Sequence, residues 1–290
     1  MTGQRRRSDA HSPILHPRAD RTPHVATHVG AGVVIRVIKI GGRAQGDPTL
    51  PERLRDAASA RGTRLVIVHG GGDEVTALQR RMGVEPQFVN GRRVTSPADL
   101  DAVRMILSGT VNKRLVAQLA TTGMRSVGVS GEDGGMLSAR VTDSTFGRVG
   151  GDVFADATLV ADLLNGGWIP VISPLARDRE SAEGDGLNVN GDDAAAAIAA
   201  SLGADELLFL ADVPGVLEAG ALLRGVDVEA IDGLVARGVV QGGMRAKLEA
   251  ATTALRNGVR RVRIANLDGV TDSTVGTAVT LHLTTSKAPA

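Results

Sequence analysis

Two kinds of apolar segment alternate along the chain: short continuous runs that end in glycine, and longer stretches whose apolar positions recur every three to four residues. The run GVVIRVIKI (residues 32–40) is interrupted only by Arg36 and Lys39 and is rich in β-branched side chains, which predicts a buried strand. LPERLRDAASARG (50–62) has helical spacing, TRLVIVHGGG (63–72) is a second strand running into glycines, and VTALQRRMG (75–83) returns to a helix. The alternation continues through LDAVRMILSGTVNKRLVAQLATTG (100–123), a long or broken helix, and MRSVGVSGEDG (124–134), a strand and turn. ATLVADLLNGG (157–167) then reads as helix and WIPVISPLA (168–176) as strand. In the second half DDAAAAIAASLG (192–203), VEAIDGLVARG (228–238) and MRAKLEAATTALRNG (244–258) predict helices. ADELLFLADVPG (204–215), VRRVRIANLDG (259–269) and GTAVTL (276–281) predict strands. Strands apolar on both faces and separated by helices require a largely parallel α/β sheet covered on both sides. Ligands of such a sheet gather beyond the carboxyl ends of its strands.

Residues 1–30 show neither period; proline, arginine and four of the six histidines dominate them, which predicts a disordered tail. From residue 31 onward the polar, glycine-bearing stretch ARDRESAEGDG (176–186) is the most linker-like segment, and it suggests an N-terminal lobe over 31–185 and a C-terminal lobe over 186–290. Composition narrows the function classes. A formal charge of +1 and only four Phe, one Trp and no Tyr give neither the basic field nor the stacking platforms of a nucleic-acid binder. The absence of cysteine removes disulfides, thiolate metal sites and cysteine nucleophiles, and no apolar run resembles a membrane span or a signal-peptide core, as expected of a cytoplasmic protein.

Candidate chemistry lies in the glycine loops and in the lysines. Only four of the 33 basic residues are lysine: Lys39, Lys113, Lys247 and Lys287. A chain that uses arginine nearly everywhere keeps lysine where a compact ammonium on a flexible stem suits the chemistry. Neither KIGG nor HGGG is a Walker A loop, and no GxGxxG dinucleotide fingerprint is present. Gly41 and Gly42 after the first strand, and Gly70, Gly71 and Gly72 after the second, read either as tight turns or as backbone N–H cradles for an anion. In LNVNGDD, Asn188, Asn190, Asp192 and Asp193 precede an alanine-rich helix; one of them suffices for capping. Asp212 either begins a turn or flanks a ligand at a strand end.

In this order, KIGG, VIVHGGG, NGRRVT, SGTVNKRLV, VGVSGEDGGML, IPVISPLA, NVNGDDAA, FLADVPGVL and GGMRAKLEAA resemble the acetylglutamate kinases of the amino acid kinase superfamily, over residues 32 to 280. The resemblance implies a three-layer αβα sandwich with an open, mainly parallel sheet, whose N-terminal lobe binds the acyl amino acid and whose C-terminal lobe binds ATP. It implies ATP-dependent phosphorylation of the side-chain carboxylate of N-acetyl-L-glutamate to N-acetyl-L-glutamyl 5-phosphate, a step of arginine biosynthesis. Carried over residue by residue, Lys39 and Lys247 would stabilise the transferring phosphoryl group, with Asp192 orienting both. Gly41 and Gly42 would contact phosphate oxygens, and Asp212, Val213 and Gly215 would lie on the nucleotide side. Gly71, Gly72 and Asn188 would hold the acyl amino acid, and Arg93 would grip its α-carboxylate. Mg2+ would arrive with ATP, without a dedicated protein ligand, and the long segment around residues 100–119 resembles a homodimer region.

The chemistry agrees with that carry-over. A carboxylate nucleophile is ionised near pH 7, so no general base is needed, and alignment and charge neutralisation are the main demands of the transfer. Ala211 and Gly191 depart from the family pattern, and so does the short C-terminal end, which puts arginine control in doubt. A kinase for N-succinylglutamate or for carrier-linked α-aminoadipate would share every phosphate-handling residue. A catalytically weak amino-acid sensor on the same fold is the rival of a different class; retention of Lys39, Lys247 and Asp192 together weighs against it.

Overall fold

The computed structural model describes residues 32–89 and 92–281; the N-terminal tail, residues 90 and 91 of the NGRRVT motif, and Lys287 lie outside the described residues. Eight strands form one sheet in the order Gly225–Asp227, Thr277–Thr280, Val262–Ala265, Glu206–Leu210, Val34–Ile40, Thr63–His69, Ile169–Ser173, Ser126–Ser130. All neighbours are parallel except Thr277–Thr280, which runs antiparallel to Val262–Ala265.

The two-residue period of the strands divides their side chains between two cores. Val37, Val66, Val68, Leu207 and Phe209 enter one apolar cluster, where helices Thr158–Asn165, Gly191–Ser201 and Gly242–Arg256 cover the sheet. Ile38, Ile40, Leu65, Ile67 and Leu208 enter the other, under helix Leu50–Ser59 and the helical run from Pro97 to Thr121. This is the expected three-layer αβα sandwich. Helix Gly191–Ser201 buries Ala194, Ala195, Ala196 and Ala199, and these small side chains let its backbone lie close over the central strands.

Three features were not legible in the periodicity. Strands Leu137–Val141, Val149–Ala155, Leu175–Asp178 and Gly186–Val189 close into a four-stranded barrel. The polar stretch 176–186 is part of its hairpin, with Gly186 paired to Arg177 and Leu187 to Ala176. The helix expected over 100–123 is continuous from Pro97 to Thr121, but its middle, Met105–Val111, is a π-helix, a form often found beside functional sites. No described helix is long and apolar enough to cross a membrane.

Candidate active site

Lys39 is the penultimate residue of the central strand, paired in register with Phe209 on one side and Val68 on the other. Ile38 and Ile40 point into the second core, so Lys39 faces the opposite layer, towards helix Gly191–Ser201. There its ammonium meets Asp192 Oδ1 at 2.9 Å. Lys247 donates to Asp192 Oδ2 at 3.1 Å, so one carboxylate holds both lysines. Asn190 Oδ1 accepts from the Asp192 N–H at 2.8 Å and caps the helix, which leaves the Asp192 carboxylate free for the lysines. Lys247 lies in the second turn of helix Gly242–Arg256, one turn deeper than expected, so the unfavourable helix-end field is weaker there.

All three groups are largely buried, and burial bears on the titration of Asp192 and Lys247. Burial alone would raise the Asp192 carboxyl, but the charges of Lys39 and Lys247 and their hydrogen bonds outweigh burial and hold it below the ordinary carboxylate range. Burial first, and then the charge of Lys39, push Lys247 below the usual lysine value, against the opposing pull of Asp192. Two glycines make room for the Lys39 stem. A Cβ on Gly41 would lie 2.6 Å from Lys39 Nζ, and one on Gly191 would lie 3.2 Å from Lys39 Cε. Gly191, one of the departures from the family pattern, thus lies against the Lys39 stem.

Beside this cluster lies a cavity of about 380 Å³. Gly71, Gly72, Arg93 and Asn188 all line it, joined by Val103, Leu107 and Phe146. Asn188 Nδ2 donates to Thr95 Oγ1 at 3.2 Å. Gly72 opens helix Gly72–Arg81 with no side-chain cap, so the first N–H groups of the helix are not taken by a capping side chain. Arg93 stacks over Phe88 at 4.8 Å and is held by the protein itself: Nη2 donates to Gly72 O at 2.9 Å and to Thr76 Oγ1 at 2.5 Å, and Nη1 donates to Gln79 Oε1. Gln79 in turn donates to Asp99 Oδ1 at 2.5 Å. A two-pronged grip on a carboxylate through Nη1 and Nη2 thus requires Arg93 to release Gly72 O or Thr76. Thr76 and Gln79 went unnoticed in the sequence, because an uncharged pair three residues apart on a helix carries no pattern of its own.

The remaining expected residues sit next door. The Asp212, Val213 and Gly215 loop follows strand Glu206–Leu210, the immediate neighbour of the Lys39 strand, and none of the three lines the cavity. The charge of Asp212 acts on Lys247. Gly215 has φ +155°, and a Cβ there would sit 2.5 Å from Thr277 Oγ1, whose hydroxyl accepts the Val216 N–H at 2.8 Å. Gly42 begins a short 3-10 turn after Gly41. No group of three or more His, Asp or Glu suited to hold a metal occurs among the described residues. The arrangement can therefore neutralise a moving anion between two ammonium groups and an open helix end, at the carboxyl ends of three adjacent strands.

Comparisons with known proteins bear on the family and the fold. The Amino acid kinase family profile matches residues 35–266. The acetylglutamate kinase of Chloroflexus aurantiacus is 42% identical over 241 residues, covering 82% of this chain and 94% of that protein. Among solved structures, smu.665 from Streptococcus mutans superimposes with a TM-score of 0.76 at 32% identity, over 86% of this chain and 99% of its own. N-acetylglutamate synthase from Neisseria gonorrhoeae, complexed with coenzyme A and N-acetyl-glutamate, gives a TM-score of 0.70 at 27% identity, over 85% of this chain and 59% of its own. The chain belongs to the amino acid kinase family, and its relatives include acetylglutamate kinases.

Proposed function

We propose that the protein transfers the γ-phosphoryl group of ATP to the side-chain carboxylate of N-acetyl-L-glutamate, yielding N-acetyl-L-glutamyl 5-phosphate and ADP. The observation that supports this most is the convergence of Lys39 and Lys247 on Asp192 beside a cavity lined by Gly71, Gly72, Arg93 and Asn188. Donor and acceptor are both anionic, so alignment and charge neutralisation are the main barriers to lower. Lys39 and Lys247 neutralise the phosphoryl oxygens, and Asp192 keeps the two ammonium groups in register. Arg93 takes the α-carboxylate, and the N–H groups at the start of helix Gly72–Arg81 face the reacting carboxylate.

Mg2+ bound to the ATP phosphates would add further neutralisation of their charge. Both Asp192 oxygens are engaged by lysines, so the residues here suit a cation held mostly by phosphate and water, with Asp212, whose charge reaches Lys247, an additional carboxylate in the nucleotide loop.

The lining charges favour a small neutral acyl group over a charged one. Among the described lining residues Arg93 is the one cation, beside Asp73, Asp143 and Asp193, so acidic groups outnumber basic ones around the extra carboxylate that N-succinylglutamate would bring. The test is ADP release from Mg-ATP with N-acetyl-L-glutamate, N-succinyl-L-glutamate or free L-glutamate as acceptor. The expected order of kcat/KM puts the acetyl compound first by roughly tenfold or more, in line with an unpaired buried charge. Preference for the succinyl compound overturns the substrate assignment, and tight binding without turnover of any acceptor favours the sensor reading.

A further inference from the structure

Lys39 and Lys247 serve the phosphoryl site; Lys113, a third member of the scarce lysine set, does not reach it. Its ammonium donates to Asn112 Oδ1 at 3.1 Å and to the Gly128 carbonyl at 2.8 Å. Asn112 is fully buried, and with its oxygen turned to Lys113 its Nδ2 points the other way, donating one hydrogen to Val171 O at 2.8 Å and presenting the second to His69 Nε2 at 3.1 Å, with Val129 O a more distant neighbour at 3.4 Å. His69 is also fully buried, and its Nδ1 lies 2.8 Å from the Gly70 carbonyl. An amide N–H on one side and a carbonyl oxygen on the other leave one neutral tautomer that satisfies both: Nε2 accepts and Nδ1 carries the proton.

We propose that Lys113, Asn112 and His69 form a one-way hydrogen-bond relay that orients the Gly70–Gly71 peptide for substrate, with His69 as its positioning residue. The peptide is planar and trans, so pinning the Gly70 C=O to the imidazole turns the Gly71 N–H in the opposite direction. Gly70 N–H is tied at the same time to the Ile40 carbonyl at 3.0 Å, which joins this loop to the end of the Lys39 strand. Gly71 has φ +153° and no Cβ, so nothing in its own side chain resists rotation of that peptide, and an outside group must set it. The π-helix Met105–Val111 serves both ends of the arrangement. Leu107 and Val111 pack on the Gly71 backbone, where a Cβ would lie 2.7 Å and 3.1 Å from their methyl groups, and the next residue is Asn112.

Two asparagine-type substitutions separate positioning from bulk support. The amide nitrogen of Asn occupies the place of an imidazole Nδ1, and that of Gln the place of Nε2. His69→Asn therefore keeps a donor for Gly70 O, whereas His69→Gln loses it. With Mg-ATP and N-acetyl-L-glutamate, His69→Gln is expected to lower kcat roughly tenfold or more, and His69→Asn no more than about threefold, because small misplacements of a reacting group have large rate effects. Equal losses in the two variants overturn the proposal, since a purely structural histidine would not distinguish them.

A second readout is independent of the substrate named above, on which the kinetic arm rests. Imidazole nitrogen shifts of the free enzyme at pH 7–8, with the His69 signals assigned by their loss in His69→Asn, are expected to show the Nδ1–H tautomer. The Nε2–H tautomer overturns the relay. Lys113→Met removes the charged donor on Asn112 Oδ1 and weakens the N–H that Asn112 offers to His69, so it is expected to shift the His69 Nε2 resonance while the Nδ1–H tautomer is kept; an unchanged spectrum in this variant overturns the role of Lys113. Failure of the wild-type enzyme to use N-acetyl-L-glutamate would refute the proposed substrate while leaving the tautomer result to decide the relay.

Discussion

The proposed chemistry rests on a few buried charges held against one another. Asp192 accepts both lysines, so Asp192→Asn removes the charge that holds them in register. The expected result is a fall in kcat of about 100-fold with the KM for ATP changed by less than about threefold, measured by steady-state kinetics. Comparable changes in both constants would count against an orienting role. Arg93→Lys loses the planar fork and its place on Gly72 O and Thr76, and is expected to raise the KM for the acyl amino acid about tenfold or more while sparing the KM for ATP. His69 gives a stability signature instead. Burial lowers its pKa to about 4, against the opposing hydrogen bond to Gly70, so the folded protein keeps it neutral where the unfolded chain, with an ordinary value near 6.5, binds a proton. Unfolding takes up that proton between these two values. Stability should therefore decline as pH falls from about 6.5 to about 4, by roughly 3 kcal/mol from this group. Denaturant titrations across that window should show the slope in the wild type and its reduction in His69→Asn.

At the scale of elements, the site is a meeting of strand ends and helix starts, and glycine is required where they touch. Gly71→Ala places a Cβ 2.7 Å from Leu107 on a residue with φ +153°. The backbone strain is expected to destabilise the fold by about 1–3 kcal/mol, read from thermal or denaturant unfolding, and to lower kcat well beyond what that loss of stability explains. Adding Leu107→Ala relieves the contact and leaves the dihedral, so the double variant should not recover activity; recovery would show that crowding alone was at fault. The pattern of apolar residues was a sound guide to these elements wherever a strand is buried on both faces, as in 32–40, 63–69 and 204–210. It was silent on the barrel strands such as Leu175–Asp178 and Gly186–Val189, which are four residues long and interrupted by polar side chains, too short for a period to show. It also left the helix over 100–123 undecided between long and broken, since a π turn keeps a helical spacing while shifting which residues face inward.

Across the whole molecule, one sheet carries stabilising charge and chemistry at different positions along the same strands. Arg36 pairs in register with Glu206 near the start of the central strands, and Lys39 lies three residues further on, at their carboxyl end. Glu206 accepts from Arg36 Nε and from Arg263 Nε, each at 2.7 Å, and Arg263 also donates to the carbonyls of Val275 and Gly269, which ties the loop after residue 266 to the sheet. Burial would raise the Glu206 carboxyl, but the two guanidinium groups hold it below its usual range. Glu206→Gln leaves those guanidinium groups without their countercharge and is expected to destabilise the fold by about 3 kcal/mol, with the KM values little changed. Unaltered unfolding in this variant would contradict the assignment.

The sequence by itself determined the doubly covered parallel sheet, the glycine loops at its strand ends and the residue types of the site, because burial and backbone freedom are written locally in period and composition. It also singled out Lys39, Lys247 and Asp192 as candidates, through the scarcity of lysine and the loops around them, and joined the three, separated by more than 200 residues from first to last, through motif resemblance. Only the tertiary structure decided that Asn190 caps the helix while Asp192 binds both lysines, that Arg93 is held by Thr76 and Gln79, and that Lys113 and Asn112 reach His69. Those choices depend on the direction of individual hydrogen bonds between elements distant in the chain. A donor acquires its acceptor only when packing brings the two together, so no local pattern could have recorded them.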